Sequence, residues 1–129
     1  MNKTMLIGRL TSAPEISKTT NDKSYVRVTL AVNRRFKNEK GEREADFISI
    51  IIWGKSAENL VSYAKKGSLI SIEGEIRTRN YTDKQNQKHY VTEILGLSYD
   101  LLESRATIAL RESAIKTEET LLDAEELPF

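Results

Sequence analysis

Asp46-Phe47-Ile48-Ser49-Ile50-Ile51-Ile52-Trp53 is the stretch on which the fold turns. Successive side chains of an extended strand point to opposite faces, so Ile48, Ile50 and Ile52 share one face and Phe47, Ser49, Ile51 and Trp53 the other. The isoleucines read as core. Phe47 and Trp53 then point away from it, and two large aromatics on an outward face imply that something covers them.

Working outward, Tyr25 to Val32 carries Val26, Val28, Leu30 and Val32 at a period of two, a second half-buried strand. The charged, glycine-bearing loop Asn38-Glu39-Lys40-Gly41-Glu42 joins the two. Thr4 to Leu10 reads as a first strand, closed by Thr11-Ser12-Ala13-Pro14. Beyond Trp53 the period changes. Ala57, Leu60, Val61 and Ala64 recur at helical spacing, with Ser56 as expected N-cap and Lys65-Lys66-Gly67 as stop. A fourth strand, Leu69 to Arg79, sets Ile70, Ile72, Gly74 and Ile76 against Ser71, Glu73, Glu75, Arg77 and Arg79. Gly74 inside it predicts a bend or bulge. The polar hairpin Thr82 to Lys88 leads into a fifth strand, about His89 to Leu101.

Three strands, a helix and two strands is the order of the OB-fold, a five-stranded, partly open Greek-key barrel that commonly binds oligonucleotides. The expected fold is therefore all-β with one helix between strands three and four. Alternation alone does not separate this barrel from an open sheet carrying one helix.

Composition narrows the functions. A chain of 129 residues fits one domain plus a tail, and its 30% charged and 39% hydrophobic residues are ordinary for a globular protein. No apolar run approaches the ~20 residues of a membrane-spanning helix. The apolar start, Met5 to Gly8, runs into Arg9, too short for a signal-peptide core, so the cytoplasm is the expected location. Without cysteine there are no disulfides and no thiolate chemistry, and the single His89 leaves little for a metal centre. No metal and no cofactor are expected.

The net charge of +1 conceals an asymmetry. Residues 1–105 hold 18 Lys and Arg against 13 Asp and Glu, a net +5, and residues 106–129 hold 2 against 6, a net −4. A basic body with an acidic end suggests a binding domain, 1–105, and a flexible interaction tail, 106–129.

Several chemistries fall away on inspection. Gly54-Lys55-Ser56 matches the end of a phosphate-binding P-loop, but Ser49 stands where that motif needs its first glycine. Glu73 and Glu75 share a strand face without a third ligand, which favours cross-strand ion pairs over catalysis. His89 reads as a surface residue, and the chain as a non-enzyme.

The chain resembles the bacterial single-stranded DNA-binding proteins over essentially all of 1–105. Met5-Leu6-Ile7-Gly8-Arg9-Leu10, Val28-Thr29-Leu30-Ala31-Val32, Phe47 to Lys55 and Lys66-Gly67-Ser68 carry the resemblance. The most specific stretches are Ile72-Glu73-Gly74-Glu75-Ile76-Arg77-Thr78-Arg79 with Tyr81, and Tyr90-Val91-Thr92-Glu93. It implies that Phe36, Phe47, Trp53 and Tyr81 stack on bases, with Phe and Tyr at places where better-known members carry tryptophan. It also implies a homotetramer.

Non-specific binding of single strands needs cations for phosphates and flat faces for bases. Arg34, Arg35, Lys37, Lys55, Arg77 and Arg79 are the candidate phosphate contacts. The tip, Asp123 with Glu125-Glu126-Leu127-Pro128-Phe129, is similar to the family's partner-binding end. It offers an apolar plug flanked by negative charge, suited to a hydrophobic pocket rimmed by Lys or Arg on replication, recombination and repair proteins. A tail of ~24 residues, lacking a long flexible linker, fits an accessory, transformation-linked or phage-borne paralogue. An RNA-binding OB module would use the same stacking chemistry.

Overall fold

The computed structural model describes residues 1–104 together with 106, 107, 109–111, 113 and 114. The elements in chain order are β1 (Thr4–Leu10), β2 (Ser17–Lys18), β3 (Ser24–Lys37), β4 (Arg43–Trp53), α1 (Lys55–Tyr63), β5 (Leu69–Thr82) and β6 (Lys88–Leu101). The sheet runs β1-β5-β6-β4-β3-β2, and a β1–β3 pairing at Arg9↔Ala31 and Leu10↔Leu30 closes five of these strands into a barrel. This is the OB-fold, with the helix between the third and fourth long strands, as the sequence pattern implies. The two-residue β2 is an addition that its length hides from any periodicity.

Alternation places the core where expected. Val26, Val28 and Leu30 of β3 face Ile50 and Ile52 of β4, with Ile70 and Ile72 of β5 and Ile94 of β6 completing the cluster. Ile48 and Val32 are only partly buried against it. The helix plugs one end through Ala57 and Leu60, with Ala64 just beyond it also buried. Its N-cap is Gly54, at φ 72° and without a side-chain cap, rather than the expected Ser56. The chain turns directly out of β4 there, its Gly54 N–H donating to the Ser24 carbonyl at 2.8 Å, and the helix starts two residues early.

The bulge expected at Gly74 lies between β5 and β6. Glu73 pairs with Ser98 and Gly74 with Gly96, leaving Leu97 as the extra residue. A Cβ at Gly74 would stand 2.1 Å from the Leu95 carbonyl oxygen, so only glycine allows the strands to cross this closely. Past the bulge, β5 and β6 leave the barrel as a long hairpin arm. Ile76, on the face of Ile70 and Ile72, is exposed because the arm carries it to the margin of the core cluster, whose last β6 residue, Ile94, lies opposite it. The β3–β4 hairpin forms a second arm, and both strands run further than alternation shows.

Candidate nucleic-acid interface

Strand register gathers the outward residues of four strands onto one surface. Tyr25 lies opposite Trp53, Arg27 opposite Ile51 and Ala31 opposite Phe47, all facing away from the core. Ile51 pairs in parallel with Leu95 of β6, and β6 carries Glu93 opposite Arg77, Val91 opposite Arg79 and His89 opposite Tyr81. Ile51 is buried although it faces outward, because Arg27 and Leu95 flank it on the neighbouring strands. This is also why an isoleucine there interrupts a polar face without exposing apolar surface.

Rings and cations alternate along this surface. The Tyr25 and Trp53 rings lie 5.1 Å apart with a 41° tilt, and the Arg27 guanidinium stands 5.9 Å from the Tyr25 centroid. Arg27 Nη1 donates to Glu93 Oε2 at 2.6 Å, and Arg79 Nε donates to Glu93 Oε1 at 3.2 Å. The Arg79 guanidinium is in turn 5.9 Å from the Tyr81 centroid, and Tyr81 stacks on His89 at 5.0 Å and 18°. His89 Nε2 lies 2.7 Å from Asp83 Oδ2. The hydrogen bond to His89, with backbone N–H donors of Gln87 and Gln85, holds the Asp83 carboxyl below the ordinary aspartate range.

Of the four aromatics singled out from sequence, Trp53 and Tyr81 stand at the two ends of this strip and Phe47 lies on the same face. Phe36 does not follow by alternation. A register shift between Asn33 and Lys37 separates it from the regular ladder, and it is 82% exposed on the β3–β4 arm. Phe47, Tyr81 and Trp53 are 69%, 47% and 41% exposed. Flat rings left this open to water suit stacking by a mobile partner.

The expected cations divide into engaged and open ones. Arg34 pairs with Asp46 at 2.8 Å and with Glu44 at 3.0 Å, Arg77 with Glu75 at 2.7 Å, and Arg79 with Glu93. Arg35, Lys37 and Lys55 are exposed, Lys55 opening α1 two residues past Trp53. The Arg34 guanidinium holds the Asp46 carboxyl below its usual range. Glu73 pairs with Lys3 at 2.8 Å, so the two acidic residues of β5 both end in ion pairs. Among the described residues no group of three or more His, Asp or Glu is arranged to hold a metal ion, and no helix is long and apolar enough to cross a membrane.

Sequence reasoning missed Tyr25, Arg27 and Glu93. The signal was available for the first two, since they occupy odd positions of a strand whose even positions are core. Glu93 carried no such signal, because its importance comes from two arginines on other strands. The tip residues Asp123, Glu125, Glu126, Leu127, Pro128 and Phe129 lie outside the described residues. Residues 106, 107, 109–111, 113 and 114 are helical, and Arg111 pairs with Glu103, which also accepts from Arg9 at 2.7 Å.

Residues 1–102 match the single-strand binding protein family. The chain is 58% identical over 130 residues to single-stranded DNA-binding protein 1 of Streptococcus pyogenes serotype M6, covering 99% of this chain and 98% of that protein. Similarity to single-stranded DNA-binding protein 2 of Streptococcus agalactiae serotype V is 57% over the same span. A single-stranded DNA-binding protein of Streptococcus mutans is 51% identical over 107 residues, which cover 83% of this chain and 65% of that longer protein.

Proposed function

The chain belongs to the single-strand binding protein family, and on that premise we propose that it coats single-stranded DNA without sequence preference and without catalysis. The observation that carries this reading is the strip from Trp53 through Tyr25, Arg27, Glu93 and Arg79 to Tyr81 on one outward sheet face. Its rings offer stacking surfaces for bases of any identity, each worth ~1–3 kcal/mol, and the open cations Arg35, Lys37 and Lys55 take phosphates. Phe36 and Phe47 extend the path over the β3–β4 arm, and Arg34, Arg77 and Arg79 shape the field along it.

In this reading 1–105 is the binding domain and 106–129 the partner-recruiting tail, acting in the cytoplasm in replication, recombination and repair. Asp123, Glu125, Glu126, Leu127, Pro128 and Phe129 dock on partner proteins. The binding unit is a homotetramer. Exposed Met5 and Ile7 on β1, whose edge meets β3 only at Arg9 and Leu10, leave apolar surface and free backbone groups for a second copy.

Trp53 is the only tryptophan, so its fluorescence reports on the strip directly. Titration with oligo-dT is expected to quench it, with affinity falling steeply as salt rises and duplex DNA of equal length binding far more weakly. Unchanged emission together with unchanged sedimentation in the presence of oligo-dT rules the reading out. Stronger competition by unstructured RNA than by DNA would redirect it to RNA.

A further inference from the structure

Glu93 sits at the centre of a surface that must attract a polyanion. Its side chain is the least exposed charged group there, the residue being only 6% accessible, and both carboxylate oxygens are used. Arg27 reaches it from β3 and Arg79 from β5, so the carboxylate of β6 ties together strands that are not neighbours in sequence. Each of these arginines also stands over a tyrosine, one belonging to the Trp53 end and the other to the Tyr81 end.

A carboxylate in this position has two opposed effects. It repels phosphate and neutralises cations that would otherwise bind it. It also fixes two long side chains that have many rotamers when free, and ordering such side chains during binding costs affinity. Burying a charge is itself unfavourable and is tolerated here only because two guanidiniums satisfy it. The placement therefore favours order over attraction.

Resting on the single-strand-binding reading above, we infer that Glu93 is a positioning residue that holds the two stacking stations of the strip ready for bases. It touches no nucleotide. Through Arg27 it sets Tyr25 beneath Trp53, and through Arg79 it sets Tyr81 on His89, so that bases meet rings already in place. Phosphates are left to the open cations at the margins.

The test is a salt series of Trp53-quenching titrations with oligo-dT on the full chain and its Glu93→Gln variant, each checked for folding by thermal unfolding. Loss of the pin lowers affinity extrapolated to high salt by roughly fivefold or more, the effect of two long side chains ordered only on binding. It also steepens the salt dependence, by about 0.7 in the log–log slope for each freed arginine that takes up a phosphate. The two binding curves therefore cross, the variant binding relatively better at low salt. Tighter binding at every salt concentration makes Glu93 a mere repulsive charge and overturns the inference, as does weaker binding with an unchanged slope, the mark of a general fold prop.

If Glu93→Gln fails to fold, Arg27→Lys reads the same pin, since it keeps the charge but loses the planar fork over Tyr25. The charge is unchanged, so the slope stays the same and the unfolding midpoint discriminates: a high-salt loss at an unaltered midpoint is expected, and full affinity, or a loss that accompanies a lowered midpoint, overturns the inference. Absence of quenching in the unsubstituted protein removes the single-strand reading and the inference together. Quenching in the unsubstituted protein with indifference to Glu93→Gln removes the inference alone.

Discussion

The two hairpin arms close on the same turn and use it differently. In the β3–β4 arm Asn38 Oδ1 accepts from the Lys40 and Glu42 N–H groups, and in the β5–β6 arm Asp83 Oδ1 accepts from those of Gln85 and Gln87. Both turns place their fourth residue at positive φ, Gly41 at 78° and Asn86 at 63°, as such short polar turns require. Below the turns the arms diverge. The β5–β6 ladder continues without interruption from Thr82↔Lys88 to Gly74↔Gly96; of its two tyrosines Tyr90 is exposed, and Tyr81 is held by His89 and Arg79. The β3–β4 ladder breaks between Asn33 and Lys37, and among the described residues no ring or guanidinium stacks on its aromatic, Phe36.

Identical turns therefore do not set how a ring on the arm is held. Ladder continuity and the ring and guanidinium contacts of the aromatic differ between the arms, and on the proposed reading they make the β5–β6 arm a pre-ordered platform and the β3–β4 arm an adaptable one. The most severe way to break this contrast is at the root of the fixed arm. Gly74→Ala puts a methyl group against the Leu95 carbonyl, which only backbone movement can relieve. Overpacking of this kind is expected to cost ~3 kcal/mol of stability or more, read as a lower midpoint of urea unfolding. A midpoint within experimental error of the unsubstituted protein would show that the arm's root tolerates a wider crossing.

The next test compares the two platforms as binding surfaces. Tyr81→Ala should lose most of a full stacking interaction, about tenfold or more in affinity for oligo-dT, because the ring is in place before the base arrives. Phe36→Ala should lose less, roughly threefold, because part of the stacking energy at that site is spent ordering the arm. Filter binding or anisotropy with labelled oligo-dT measures both. Equal losses would mean that pre-ordering contributes nothing.

The barrel was legible in the sequence and the arms were not, for one physical reason. Val26, Val28 and Leu30 recur at every second position because one face is buried, and a buried face writes a period of two into the chain, whereas in β4 Ile51 is buried on the opposite face from Ile50 and Ile52. Residues 33–37, 43–45 and 80–82 have solvent on both faces, so nothing forces alternation and the strands run past their visible ends. The aromatic candidates Phe47 and Trp53 emerged from the same parity. The ion-pair partners did not, since Arg34 meeting Asp46 and Arg27 meeting Glu93 depend on register across strands, which a single sequence does not state. The helix start was misplaced by two residues because Ser56 has the right chemistry for a cap and Gly54 has the right backbone.

The smallest expected effect sharpens the contrast from the adaptable side. Arg34 carries a charge in a basic stretch, yet Asp46 and Glu44 already engage it, so its contribution to phosphate binding is partly cancelled. Asp46→Asn releases that charge and should steepen the salt dependence of oligo-dT binding by less than the ~0.7 of one full phosphate contact, because Glu44 still holds part of it. Acid does the same thing reversibly. The hydrogen bond from Arg34 sets the folded Asp46 carboxyl below its ordinary value, so the pair is intact at neutral and mildly acidic pH and opens only as pH falls through that depressed value. Its stabilising effect disappears over the same interval, and the pair is too exposed to solvent for that loss to show in global unfolding. Salt slopes that coincide for the protein and Asp46→Asn at neutral pH would place Arg34 off the nucleic-acid path altogether, leaving Arg35 and Lys37 as the cations that serve Phe36.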